Sequence, residues 1–166
     1  MNPLTRMLVA VGSAATIGFG VWHFFVPAIW RWYSYIDPRA TELALAVRAI
    51  NVFFSLSLVL FGAMNLLLLW GAEAHRYPVL VVLGATSLLW VVRVGLQVLA
   101  PQGTMRPAIR FGLLAAFLII ALSFVISFSV VAAGGRRGSS AAHRLDAPIE
   151  AIDVPRRPLD GSRISF

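Results

Sequence analysis

Long apolar segments alternate with short polar ones along this chain, and the pattern predicts its fold. Four segments are continuously apolar over about the 20 residues that a membrane-spanning helix requires, namely 7–30, 49–70, 78–100 and 109–133. A spanning segment must satisfy its backbone hydrogen bonds internally, and continuous apolar runs favour helices over the alternating strands of a barrel. We therefore predict an all-α fold, an integral membrane four-helix bundle formed by residues 1–133.

The end of the chain has a different composition. Residues 134–166 are basic, contain glycine and proline, and show no apolar period. Such a segment cannot bury enough apolar surface to offset the entropy lost on ordering. We therefore predict that this C-terminal tail is disordered unless a partner holds it.

Polar and small residues recur at intervals of three or four within each predicted span, which places them on one helix face. We expect these faces inside the bundle, where small residues allow close helix contact and hydroxyl and amide groups bond between helices. The residues are Gly12, Thr16, Gly20, His23, Pro27 and Trp30 in the first span, Asn51, Ser55, Leu58, Gly62 and Asn65 in the second, Thr86, Trp90, Arg93 and Gln97 in the third, and Gly112, Ala116, Ser123 and Ser127 in the fourth.

Four of these side chains should meet in one polar layer near the first and third loops. His23 and Arg93 lie in the halves of their spans nearer those loops, Asn51 begins the second span on the same side, and Gln97 is one turn closer to the surface. A charge at the membrane centre costs about 2.5–3.5 kcal/mol on insertion scales, so Arg93 should have partners. Either Arg93 binds a ligand, or it is satisfied by Asn51, Gln97 and backbone carbonyls or reaches the interface.

As ligand-binding candidates, these four residues suit a small amphipathic or anionic molecule such as a lipid, a quinone or an acid. Arg93 would bind the anionic or carbonyl oxygen, His23 would donate or relay a proton, and Asn51 and Gln97 would orient both. No carboxylate accompanies His23 within a span, so we predict no catalytic group and no metal site. No cofactor is predicted, although a quinone or a lipid remains among the ligands considered.

An aromatic cluster follows the first span. Trp30, Trp32 and Tyr35 are typical of the membrane interface, where amphipathic rings are enriched. A second interpretation is that they cover the polar layer as a lid, and that Glu42 reaches down to it from the loop.

The basic residues also bear on location and partners. The net charge is +7, all 14 basic residues are arginine, and there is no cysteine. The arginines lie mainly near the ends of apolar runs and in the tail, so they suit headgroup contacts and orientation signals, and we predict membrane lipids rather than nucleic acid as partners. Four spans place both termini on one side, and the tail arginines favour the cytoplasm. The lysine-free composition indicates a GC-rich bacterial genome, hence the cytoplasmic membrane of a bacterium.

The end of the first span also resembles a known family. Gly20, His23, Phe24 and Pro27 form a G-x-x-H-F-x-x-P stretch before an aromatic loop, which is similar to DoxX-like small membrane proteins of bacteria. The resemblance implies a compact four-span bundle and a link to quinones or redox partners. Where such proteins commonly carry a glycine followed by a glutamate early in the second span, this chain has Asn51 and its neighbours.

Four functional hypotheses follow from these observations. The first is a non-enzymatic protein that binds its ligand in the polar layer, as an accessory subunit of other membrane proteins. The second is a purely structural subunit of a larger membrane complex, and the third is a small transporter, which with four spans would require a homodimer. A membrane enzyme that uses His23 as acid or base has the least support, because no carboxylate lies at its depth.

Overall fold

Four long helices account for most of the fold. The computed structural model describes residues 1–71, 75–102 and 106–145, with side chains through residue 134. The helices are α1 (Pro3–Ile29), α2 (Thr41–Trp70), α3 (Arg76–Leu99) and α4 (Pro107–Leu145), with a short 3₁₀ turn at Trp32–Tyr35 between the first two. No strand occurs within these ranges. The predicted all-α four-helix fold is confirmed.

Each helix is long and apolar enough to cross a membrane. The spans comprise 27, 30, 24 and 28 residues when α4 is counted to Gly134, and about 20 are needed. α2 begins eight residues before the predicted position 49, because a helix formed in the apolar segment continues through charged residues with good helix propensity. α4 extends beyond 133, to Leu145. The remainder of the predicted disordered tail, 146–166, lies outside the described residues.

Local chemistry sets both ends of α1. Asn2 Oδ1 accepts a hydrogen bond from the Thr5 backbone N–H at 2.7 Å, and Pro3 takes the first helical position, where no N–H is needed. Near the other end, Pro27 lacks the N–H that would continue the helix. The chain then turns at Arg31, whose φ of 49° is left-handed. This turn sends the aromatic segment back toward the bundle.

The helices form a ring in which α1 packs against α2 and α4, and α3 packs against α4. Two glycines explain the tight contact between α1 and α2. A Cβ atom on Gly20 would lie 2.9 Å from the Ser55 carbonyl oxygen, and one on Gly62 would lie 2.6 Å from Ile17 Cγ1. Only glycine lets the two backbones approach this closely. The contact between α2 and α3 is the least extensive of the ring.

Large apolar side chains and a few polar bonds fill the centre of the bundle. Trp90 is completely buried, and its indole N–H donates to Thr16 Oγ1 at 3.1 Å, which links α3 to α1. Asn65 Nδ2 donates to Thr86 Oγ1 at 2.8 Å and links α2 to α3. These groups therefore satisfy one another between helices, as polar groups in lipid must.

The predicted inward faces are confirmed for α1, α2 and α3 and are half wrong for α4. Ser123 and Ser127 of α4 are buried, but Gly112 and Ala116 are exposed. Bulky apolar residues of α4, including Phe117 and Phe124, fill the centre instead. The reason is volume, because small α4 residues there would leave space that the other three helices do not fill.

Candidate ligand-binding cleft

A cleft of about 370 Å³ lies where α2 and α3 separate, on the side of the first and third loops. Its volume is within the usual range for ligand pockets. It opens at the outer surface of the bundle, where Ile50 and Leu96 are exposed. The cleft is lined by His23, Trp32, Val47, Ile50, Asn51, Phe54, Arg93, Leu96, Ala100 and Gln102. Three of the four ligand-binding candidates, His23, Asn51 and Arg93, thus share one cleft.

Arg93 provides a positive charge in the wall of this cleft. It precedes the end of α3 by six residues, or about 9 Å along the helix axis, and only 9% of it is exposed. Its Nη2 donates to Gln102 Oε1 at 2.7 Å, and its guanidinium carbon lies 4.3 Å from the ring centroid of Phe117. Cation–π contact and an amide oxygen thus hold the side chain.

Arg93 makes no ion pair within the described part of the chain. The hydrogen bond to Gln102 occupies one of its five N–H groups. The expected bonds from Arg93 to Asn51, Gln97 and backbone carbonyls do not occur among the described residues. Arg93 lines the cleft, and its remaining donors have no acceptor among the described residues.

Gln97 has a supporting role rather than a place in the wall. It is buried, its Nε2 donates to the Gln102 carbonyl oxygen at 3.0 Å, and its Oε1 accepts from the Gln102 backbone N–H at 3.4 Å. Gln97 thereby fixes the backbone of Gln102, which in turn binds Arg93. The sequence prediction missed Gln102, although a polar residue just beyond the end of α3 was a signal for it.

A hydrogen-bonded series links His23 to α2. His23 Nδ1 lies 3.2 Å from Ser55 Oγ, and the Ser55 hydroxyl donates to the Asn51 carbonyl oxygen at 2.7 Å. Because that bond uses the hydroxyl proton, Ser55 Oγ accepts from His23, and we assign a proton to Nδ1. The ring also contacts aromatic neighbours, with centroid distances of 4.9 Å to Phe54 and 6.3 Å to Trp32.

Asn51 is 6% exposed, and it is held at the junction of α1 and α2. Its Nδ2 lies 3.5 Å from the Phe24 carbonyl oxygen, a long hydrogen bond. Its Oδ1 is buried and has no hydrogen-bond partner among the described residues. Buried amide oxygens usually accept a hydrogen bond, so this polar layer retains unused hydrogen-bonding capacity.

The four lid candidates occupy different places. Trp32 lines the cleft and faces His23 edge-on. Trp30 packs instead against Trp22, with the ring centroids 6.2 Å apart. Tyr35 is 79% exposed and Glu42 is exposed in the first turn of α2, so both suit the membrane interface rather than a cover for the cleft.

A second cavity, of about 570 Å³, lies at the opposite end of the bundle and contains Arg6 and Arg76. Both arginines bond to backbone carbonyl oxygens, Arg6 to Leu69 at 3.4 Å and Arg76 to Val131 and Ala132 at 2.8–3.2 Å. Their guanidinium groups therefore tie helices together. Arg93 differs because its acceptor among the described residues is a single side-chain amide.

The fold and the cleft define a class, namely a small multi-pass α-helical membrane protein with a largely apolar cleft that contains a few polar side chains and opens at the outer surface of the bundle. Comparison with protein-family models, with curated proteins and with solved structures finds no match. The resemblance to DoxX-like proteins therefore stays a prediction.

Proposed function

We propose that this protein binds an amphipathic ligand with an anionic or carbonyl oxygen in the cleft between α2 and α3. The observation that carries the proposal is Arg93, a buried guanidinium in the cleft wall with one side-chain acceptor among the described residues. The ligand class comprises lipids, quinones and amphipathic acids. The role is binding, and no catalytic step is part of it.

The energetics favour an oxygen ligand. An arginine at the centre of a membrane helix costs about 2.5–3.5 kcal/mol on insertion scales. Arg93 lies about 9 Å from the end of α3, so its cost is smaller, and its neutral partner Gln102 offsets only part of it. A charge-assisted hydrogen bond is about twice as strong as a neutral one. An incoming oxyanion would therefore gain more from Arg93 than it would at a neutral site.

The shape of the cleft supports entry from the lipid phase. Ile50 and Leu96, one from each helix, are exposed beside the opening. An acyl or prenyl chain could lie along this seam while the polar group reaches Arg93. Because lipid tails are themselves apolar, this chain would gain packing contacts rather than a hydrophobic transfer energy, and the polar group would provide the specificity.

The test compares two arginine substitutions in the full-length protein. Native mass spectrometry of protein purified in mild detergent, with anionic and zwitterionic phospholipids of identical acyl chains added, measures both affinities. Arg93→Gln should lower anionic-lipid affinity roughly 10- to 100-fold, which corresponds to loss of a charged hydrogen bond. Arg110→Gln removes the same charge from an exposed residue on the same side. Equal effects of the two substitutions, or none from either, would refute the proposal.

Location and partners complete the proposal. We place the protein in the cytoplasmic membrane of a bacterium with both termini in the cytoplasm. It would act as an accessory subunit of another membrane protein or as a homo-oligomer. Four helices of spanning length support a multi-pass arrangement, and the positive-inside rule supports the orientation.

A further inference from the structure

The state of the His23 ring restricts the ligand further. Ser55 directs its only hydroxyl proton to the Asn51 carbonyl oxygen at 2.7 Å, so it accepts from His23 Nδ1 at 3.2 Å. With a proton on Nδ1, the neutral ring presents Nε2 as an acceptor. No hydrogen bond to Nε2 occurs among the described residues. His23 lines the cleft, so its ring lies within reach of a molecule bound there.

The cleft therefore offers two complementary groups to one molecule. Arg93 supplies N–H donors, and His23 supplies a nitrogen acceptor in the same lining. Apolar side chains such as Val47 and Leu96 surround them. A ligand that satisfies both carries an oxygen acceptor and a hydrogen-bond donor at one end and an apolar chain at the other, and a charged oxygen gains most from Arg93.

We propose that the ligand is an anionic lipid whose headgroup carries a hydroxyl, with the phosphate oxygen on Arg93 and the hydroxyl donating to His23. This inference rests on the proposed function and specifies its ligand. A lipid fits because Arg93 lies only about 9 Å along α3 from the helix end, within reach of the headgroup region, and the seam beside it accepts acyl chains. An amphipathic hydroxy acid has the same chemistry, and the experiment separates the two sources.

Matched pairs of probes test the hydroxyl. Phosphatidylglycerol and phosphatidylpropanol with identical acyl chains have the same charge and headgroup length, but only the first carries headgroup hydroxyls. Native mass spectrometry of the wild-type protein should show a roughly tenfold preference for phosphatidylglycerol, the contribution of about one hydrogen bond. A second pair, 3-hydroxytetradecanoate and tetradecanoate, reports on the free-acid source. A preference confined to the second pair would overturn the assignment to a lipid.

Two variants locate the preference on His23. His23→Phe keeps a ring in the aromatic surroundings, and it should abolish the hydroxyl preference. Ser55→Ala removes the group that fixes the tautomer and should weaken the preference. ¹⁵N chemical shifts of the His23 ring, assigned by their loss in His23→Phe, should show Nδ1 protonated in the wild type and a tautomer mixture in Ser55→Ala.

The possible results separate this inference from the proposed function. Equal binding of both lipids, with Arg93 dependence retained, would overturn the hydroxyl requirement and leave the anionic site intact. Binding that ignores both Arg93 and the hydroxyl would overturn both. A hydroxyl preference that survives His23→Phe would show that another group accepts the hydrogen bond. The wild-type lipid comparison needs no variant, so a variant that fails to fold does not prevent the test.

Discussion

The bond between Thr16 and Trp90 should contribute measurably to stability. Trp90 is completely buried, and its indole N–H donates to Thr16 Oγ1 at 3.1 Å. Thr16→Val keeps the volume and shape of the side chain but removes the acceptor. An enclosed donor left without a partner costs about 1–3 kcal/mol, whereas hydrogen bonds between membrane helices average about 0.6 kcal/mol and reach about 1.7. We expect Thr16→Val to lower the free energy of unfolding by about 1 kcal/mol.

A matched control isolates the bond between the helices. The Thr16 hydroxyl also donates to the Gly12 carbonyl oxygen of its own helix, and the exposed Ser129 makes the same kind of bond to Val125. Ser129→Ala therefore removes an intrahelical bond alone, and it should change the free energy of unfolding by less than about 0.5 kcal/mol. The difference between the two variants measures the contact with Trp90.

A double-mutant cycle completes this prediction. Trp90→Phe removes the indole N–H together with part of the ring, so its own cost includes a packing loss. In the double variant Thr16→Val/Trp90→Phe neither partner is left unsatisfied, and we expect a coupling of about 0.5–1.5 kcal/mol. Unfolding in mixed dodecyl maltoside and sodium dodecyl sulfate micelles, followed by circular dichroism, provides the free energies. Zero coupling, with Thr16→Val as mild as Ser129→Ala, would refute the proposed link between α1 and α3.

Two further predictions test the helix packing and the topology. Gly20→Val should lower the free energy of unfolding by more than about 1 kcal/mol in the same micelle assay, because a Cβ atom there would lie 2.9 Å from the Ser55 carbonyl oxygen. Gly18→Val should be tolerated, because a Cβ atom on Gly18 meets no atom within 4 Å. Equal effects of the two substitutions would contradict this packing. The chain has no cysteine, so a single introduced cysteine can be labelled selectively. With both termini in the cytoplasm, Tyr35→Cys should react with a membrane-impermeant maleimide in intact cells and His75→Cys only after permeabilisation. The reverse pattern would contradict the proposed orientation.

The sequence was sufficient to group His23, Asn51 and Arg93, and the reason is simple geometry. The number of residues between a side chain and the end of its span gives its depth in the membrane. The interval of three or four residues between polar positions shows which side of the helix they share. Both quantities can be read from a single sequence. The meeting of these three side chains in one cleft follows from them.

Other features depend on packing and on loop conformation, which periodicity does not contain. Gln102 reaches Arg93 only because the chain turns just after α3 and Gln97 bonds to its backbone on both sides. The inward face of α4 was predicted from small residues, but Phe117 and Phe124 face inward because volume decides the fit there. The separation of α2 from α3 likewise reflects the sizes of side chains on two different helices.

The bundle treats its intramembrane polar groups in two different ways, and the difference favours a binding role. In the middle of the bundle, Trp90 donates to Thr16 and Asn65 donates to Thr86, so these groups satisfy one another between helices, whereas the buried Ser13 hydroxyl has no partner among the described residues. Among the described residues of the layer nearer the first and third loops, Arg93 has a single side-chain acceptor and His23 Nε2 has no hydrogen-bond partner. This less satisfied layer coincides with the seam where the helices pack least. A purely structural layer would gain stability from closing that seam and pairing those groups, whereas a binding site requires both the opening and the unused hydrogen-bonding capacity.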